Sequence, residues 1–250
     1  MQTAIAAIRS VAAYIAVSLY VLIAAPIGMA LALVFRWKDV LYILGHWGIS
    51  IGTSLAGIGT SVAGLEHVPV DRAVVFCSNH QSNVDPPILF QVLHRRLHVL
   101  FKRELLNLPL LGKVFQIGGF VPIDRRSREE SMSAIEQAAS SLREGNYFLT
   151  FPEGTRSRTG AMLPFKRGPF LMALKAQVPV VPVAIQGGTA AMRKGSTIVR
   201  PVTVSVRIGQ PIETRGMNLS DREKLADLVR ARVEELLALG PVPKVTSPRS

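Results

Sequence analysis

The run Ala73-Val74-Val75-Phe76-Cys77-Ser78-Asn79-His80-Gln81-Ser82-Asn83-Val84-Asp85-Pro86-Pro87 decides how the fold is read. Its first third is short, apolar and β-branched, the composition of a buried strand. The polar residues that follow stand at the carboxyl end of that strand, where open α/β sheets bind their ligands. Asp85 before two prolines is a good helix start, with Asp at the N-cap and Pro at N1.

The same alternation recurs toward the C-terminus. Residues 98–101, 120–123, 147–151, 178–185 and 203–208 are short β-rich or apolar segments, with helical patterns between most of them. The clearest helix is predicted over 127–142, apolar at Met132, Ile135, Ala138, Ala139 and Leu142, and it stops near Gly145. A final helix has Ser220 and Glu223 at capping-box spacing, an apolar face of Leu225, Leu228, Val229, Val233, Leu236 and Leu237, and Gly240 at its end. Strands alternating with helices predict an α/β domain with a mostly parallel central sheet flanked by helices. Pro179 and Pro182 fall inside an apolar strand, which puts them at its start, an edge or a bulge, where they are expected to shape a pocket floor.

The N-terminal side differs. Residues 11–35 carry no charge and reach the ~20 residues needed to cross a bilayer, with basic residues on both flanks. Pro26 and Gly28 interrupt the run, so a kinked span or two short helices in one leaflet are both compatible with it. Residues 40–65 are also apolar but hold His46 and several glycines, which suits an interfacial or protein-packed helix. The expected organisation is a membrane-associating helical segment over 1–65, a catalytic domain over 66–240 and a Pro-rich disordered tail over 241–250.

Composition narrows the function classes. Of 250 residues, 48% are hydrophobic and 18% charged, more apolar than an ordinary cytosolic enzyme, so some surface is expected to face lipid. A net charge of +12 favours an anionic membrane or a phosphate-bearing substrate. Nucleic acid fits poorly, because there is no zinc-finger spacing, basic region with heptads or aromatic RNA-binding signature. The single cysteine, Cys77, allows no intrachain disulfide and reads as a strand core residue. His46, His67, His94 and His98 show no ligand spacing, so no metal site is expected. No phosphate-cradling glycine loop is present, so no bound nucleotide cofactor is expected either.

The chemistry concentrates in two loops. His80 is the natural general base at neutral pH, and Asp85, five residues on, can reach back to fix its tautomer and stabilise the cation. Asp85 is equally placed to act only as a helix cap. Ser78 and Ser82 lack a nucleophile elbow, which leaves direct attack by an acceptor hydroxyl as the simpler route. The second loop is Phe151-Pro152-Glu153-Gly154-Thr155-Arg156-Ser157-Arg158. Arg156 offers a planar fork for phosphate, Gly154 and Thr155 admit an anion to backbone amides, and Glu153 is placed to orient a substrate hydroxyl. Lys102 and Arg125 stand near the ends of two further strands and extend the cationic pocket.

Together these segments resemble the glycerolipid acyltransferase family, most closely its 1-acylglycerol-3-phosphate acyltransferases. Asn79-His80-Gln81-Ser82-Asn83-Val84-Asp85 is similar to the family's His-x4-Asp block. Gly119-Phe120-Val121-Pro122-Ile123-Asp124-Arg125, Phe151-Pro152-Glu153-Gly154-Thr155-Arg156-Ser157 and Val181-Pro182-Val183 resemble the second, third and fourth blocks, in order. The similarity extends over residues 64–212. It implies acyl transfer from acyl-CoA or acyl-carrier protein, as co-substrate, to the sn-2 hydroxyl of lysophosphatidic acid, giving phosphatidic acid. It also implies that His80 and Asp85 are catalytic, and that Arg125, Glu153, Gly154 and Arg156 bind the acceptor's glycerol phosphate, with Lys102 a further phosphate ligand. Thr155 is taken with that group. The expected location is the cell membrane, with the catalytic domain on the cytoplasmic face. Another acceptor (a lyso-ornithine lipid, another lysophospholipid or glycerol 3-phosphate) and a non-enzymatic basic lipid-binding protein are the alternatives.

Overall fold

A computed structural model describes residues 2–93, 96–124, 126–157 and 159–243. An N-terminal hairpin of α1 (Gln2–Val34) and α2 (Asp39–Ala56) leads into strand β1 (Ile58–Ala63). There follow β2 (Val75–Ser78), α3 (Asp85–Leu93), β3 (Leu97–Lys102), α4 (Leu111–Ile117), β4 (Val121–Ile123), α5 (Arg128–Arg143) and β5 (Tyr147–Thr150). The chain ends with α6 (Gly168–Ala176), β6 (Val180–Gln186), α7 (Gly188–Ala191), β7 (Val202–Ile208) and α8 (Arg222–Ala238).

The seven strands form one sheet in the order β1-β7-β6-β2-β5-β3-β4. Every pairing is parallel except β6 with β7. The α/β class with a mostly parallel sheet is therefore what the chain adopts. Successive strand residues point to opposite faces, so β2 feeds two cores. Val75 and Cys77 join Ile135, Leu142, Phe170, Leu225 and Val229 beneath α5, α6 and α8. Val74 and Phe76 join Ile88 and Leu89 of α3, together with Ala13 and Ala56 of the hairpin. Cys77 is fully buried, and that burial pushes its thiol well above the ordinary range, as befits an inert core residue.

Several expectations need correction. Residues 58–63, expected to belong with the N-terminal helices, form the edge strand β1 beside β7, so the sheet domain begins ahead of residue 66. Pro26 does not break α1, which runs as one helix of 33 residues. Met132 is exposed, and Ala134 takes the buried place on α5. The last helix is entered through a capping box of Asn218 and Asp221, not Ser220 and Glu223, with a short 3-10 turn before Arg222. Part of the expected disordered tail is docked: the Val242 amide donates to Ser205 Oγ at 2.7 Å. Residues 244–250 lie outside the described residues.

The proline reading holds in part. Pairing shifts by one residue between Val180–Ile212 and Val183–Ile208, so Pro182 sits at a bulge, accepting from the Gly209 amide at 2.8 Å. Pro182 is not among the residues lining the large cavity described below, so it shapes the sheet and not that pocket's floor.

Candidate active site

Parallel pairing puts the ends of β6, β2, β5, β3 and β4 along one edge of the sheet. The described site residues lie at the ends of these strands or in the loops that follow, so blocks far apart in sequence become neighbours. Arg125 lies outside the described residues.

The centre is a tightly specified loop. Asp85 is fully buried, and its Oδ2 accepts from His80 Nδ1 at 3.0 Å and from the Gln81 and Ser82 amides at 2.6 Å each. The carboxylate therefore turns back into the loop to meet His80 and does not cap the helix it begins. Because an ionised carboxylate only accepts, Nδ1 must carry the proton, and Nε2 is left as an acceptor. The ring of His80 stacks on Phe151 with centroids 4.2 Å apart, and its side chain is 16% exposed. The imidazole is thus gripped on a face and an edge. Asn79 ties the loop to β6, its amide exchanging two hydrogen bonds with the backbone of Ile185.

The third block holds this loop in place. Glu153 is buried, with Oε1 accepting from the His80 amide at 2.7 Å and Oε2 from the Leu163 amide at 2.9 Å. Burial pushes its carboxyl pKa up, while the amides of Leu163 and His80 pull it down. Both oxygens are committed to backbone, so Glu153 is a scaffold residue here and not the free hydroxyl-orienting group the sequence suggested. The Ser157 amide donates to the His80 carbonyl at 2.9 Å, so both peptide groups of His80 are bonded to the 153–157 loop. Gly154 takes φ 70°, a turn that disfavours any side chain, and its amide donates to Phe151 O at 3.0 Å and does not face outward as expected. Lys102 is exposed and paired with Glu104 at 3.1 Å, so a carboxylate already neutralises that cation.

Arg156 is half-buried, and among the described residues no carboxylate pairs with it. Thr155 Oγ1 and the Arg156 carbonyl accept from Lys194 Nζ at 3.2 and 2.9 Å. Lys194 was not legible as a site residue. Neither was Gly188: a Cβ there would overlap Asp85 Oδ1, which is buried with no hydrogen-bond partner, and would stand 3.2 Å from Ser82 Cβ. Two glycines directly after a strand were the available signal. Gly188→Ala should displace Asp85, lower kcat about 10²-fold and, by straining the bonds of a buried carboxylate, cost about 1–3 kcal/mol of stability. Thr189→Val, the next residue of α7, should behave like the native protein. Equal losses in the two variants would place the effect on α7 and not on Asp85.

Beside the His80–Asp85 loop lies a cavity of about 710 Å³, walled by Val17 and Tyr20 of α1, Gly45 and Gly48 of α2, and Phe90 of α3. Asn83 and Val84, inside the His80–Asp85 loop, also line it. Its lining is almost wholly apolar, unlike the cationic flank at Arg156.

A buried imidazole–carboxylate couple thus stands at the strand ends, beside the loop of a half-buried arginine and beside an apolar cavity. The comparisons give the family. A family model described as Acyltransferase matches residues 59–186. The 1-acyl-sn-glycerol-3-phosphate acyltransferase alpha of Mus musculus is 36% identical over 178 residues, 70% of this chain and 62% of that protein. The 1-acyl-sn-glycerol-3-phosphate acyltransferase of Limnanthes douglasii is 32% identical over 208 residues, 81% of this chain and 72% of that protein. The crystal structure of the 1-acyl-sn-glycerophosphate (LPA) acyltransferase PlsC from Thermotoga maritima superposes with a TM-score of 0.79 at 26% identity, over 95% of this chain and 98% of that one. The chain belongs to the acyltransferase family that includes the 1-acyl-sn-glycerol-3-phosphate acyltransferases. It spans 62% of the length of the mouse relative.

Proposed function

We propose that this protein transfers a fatty acyl group from an acyl thioester, acyl-CoA or acyl-carrier protein, to the sn-2 hydroxyl of lysophosphatidic acid, forming phosphatidic acid. The observation that carries this is the His80–Asp85 couple, whose loop is bonded to the loop of Arg156 and lines the apolar cavity. His80 Nε2 takes the proton from the acceptor hydroxyl as its oxygen attacks the thioester carbonyl. The tetrahedral adduct then collapses, the carbon–sulfur bond breaks, and the imidazolium returns its proton to the leaving thiolate. Asp85 stabilises the cation formed between these steps. Arg156 pairs with the acceptor phosphate, with Arg125 as a further cation and Gly154 and Thr155 shaping the loop. The thioester enters as a co-substrate, so the reaction needs no resident cofactor or metal.

The cavity suits the acyl chain, being apolar and within the ~300–1,000 Å³ typical of small-molecule sites. A Cβ on Gly45 meets only ordinary contact with Phe90, at 3.7 Å, so Gly45→Leu should fold and fill the cavity. We expect its preference to move to shorter acyl chains, read from turnover across a donor series. Unchanged chain-length preference would place the chain elsewhere. The activity itself is tested by incubating purified protein with labelled acyl-CoA or acyl-carrier protein and a panel of lysolipids. Transfer to lysophosphatidic acid is expected, and its absence with both donors would reject the reading.

The hairpin anchors this chemistry to a membrane. Helix α1 is long and apolar enough to cross one, by length and composition. Yet the hairpin is tied to the sheet domain at both ends. Ser10 Oγ accepts from the Val199 amide at 2.8 Å and Tyr14 Oη donates to Thr197 O at 2.7 Å. At the far end Tyr42 Oη donates to Gly118 O at 2.6 Å, and Ala32 and Leu41 pack with Val114 and Ile117. A spanning α1 would drag these polar loops into hydrocarbon, where each unsatisfied group costs several kcal/mol. Monotopic binding avoids that cost, with Ile8, Ile15, Leu22, Ile23 and Phe35 facing lipid. The net charge of +12 favours an anionic leaflet. Soluble thioester donors place the catalytic side at the cytoplasmic face of the cell membrane.

A further inference from the structure

Lys194 sits at the tip of a turn closed by the Ser196 amide donating to Arg193 O at 3.0 Å, with Gly195 at φ 89°. The roots of this connection are fixed. Ser82 Oγ donates to Met192 O at 2.7 Å, the Arg200 amide to Ala191 O at 2.8 Å, and Val199 is held by Ser10. The connection therefore delivers Lys194 to the 153–157 loop from the opposite side, next to Thr155 and Arg156.

Three features make this cation more than a loop pin. It is half-buried, and among the described residues no carboxylate pairs with it. Arg156, whose carbonyl it holds, is in the same condition, so two uncompensated positive charges converge on one short loop. An ammonium has three donors, and the two oxygens here use two, which leaves one for an anion. The Ser157 amide holds the His80 carbonyl one residue further on, so an anion bound here is near the catalytic base.

We propose that Lys194 is a phosphate-binding residue of the active site, which with Arg156 clamps a substrate phosphate ester from the side opposite the 153–157 loop. The proposal rests on the acyl-transfer reading for its substrates, and phosphate is available on either the acceptor or a CoA-type donor. Two substitutions separate charge from loop-pinning. Lys194→Gln keeps an N–H donor for Arg156 O but loses the charge, and Lys194→Arg keeps both. With lysophosphatidic acid, Lys194→Gln should raise the acceptor KM about tenfold or more, kcat moving little, and Lys194→Arg should recover most of the loss.

Two further arms locate the phosphate. Monoacylglycerol, which lacks it, should be used equally by native protein and Lys194→Gln if the acceptor phosphate is bound. A loss that instead follows acyl-CoA against 3′-dephospho acyl-CoA assigns the donor phosphate, and either pattern supports the proposal. Lys194→Gln that lowers kcat or melting temperature with every substrate KM unchanged would overturn it, as a mere pin behaves that way. Binding of sn-glycerol 3-phosphate by ³¹P nuclear magnetic resonance, native against Lys194→Gln, needs no turnover. If the native protein transfers no acyl group, equal binding of both sn-glycerol 3-phosphate and CoA by the two proteins still rejects the Lys194 site, and weaker binding of either by the variant still supports it.

Discussion

Replacing His80 with alanine is expected to lower kcat about 10³-fold, within the range removed with a general base, and to leave the fold intact. The substitution deletes only the imidazole. The peptide amide and carbonyl of residue 80 keep their bonds to Glu153 and Ser157, so the loop stays attached to the third block. Asp85 still accepts from the Gln81 and Ser82 amides, and its buried charge keeps two of three partners. Melting temperature should therefore change by no more than a few degrees. Steady-state kinetics with lysophosphatidic acid, beside a thermal melt, check both halves. Near-normal turnover in a folded variant would sink the mechanism.

A second large effect is expected at Glu153, and it separates two roles. In Glu153→Gln one acceptor oxygen becomes an N–H₂ group facing a backbone N–H of either His80 or Leu163. Donor then meets donor in a buried place, at a cost of about 1–3 kcal/mol, or several degrees of melting temperature. If the His80 amide loses its acceptor, the base shifts away from the attacking hydroxyl. We expect kcat to fall about 10²-fold with acceptor KM little changed, since such losses follow small misplacements of reacting groups. A residue that bound a substrate hydroxyl directly would show the reverse, a raised KM with stability and kcat preserved.

These two residues mark where sequence is legible and where it is not. His80 and Asp85 can be read because their partnership is local, five positions apart in a loop announced by a strand before it and prolines after. Glu153 is just as visible, but its role depends on backbone amides 73 residues earlier and ten later, which carry no side-chain signature. Six of the seven strands are legible as short apolar runs between helical patterns. β1 is not: Ile58-Gly59-Thr60-Ser61-Val62-Ala63 extends an apolar helical stretch, and only its parallel pairing with β7 makes it a strand. Lys102 shows the opposite limit. Its strand end is correctly placed, but sequence does not say that Glu104 turns to meet it. Gly188 acts through the absence of a side chain, and Lys194 through a turn with no regular pattern.

The hairpin's attachment has a consequence for how the chain is made. Ser10 is held by Val199, 189 residues later, and Tyr14 by Thr197, 183 residues later. At ~5–20 residues per second of synthesis, roughly 10–40 seconds separate the first apolar turn of α1 from the ribosomal addition of its own binding site. Through that interval the hairpin can pack only on the earlier elements, at Gly118, Val114 and Ile117. Its Ser10 end is closed last, when residues 197–199 have been added.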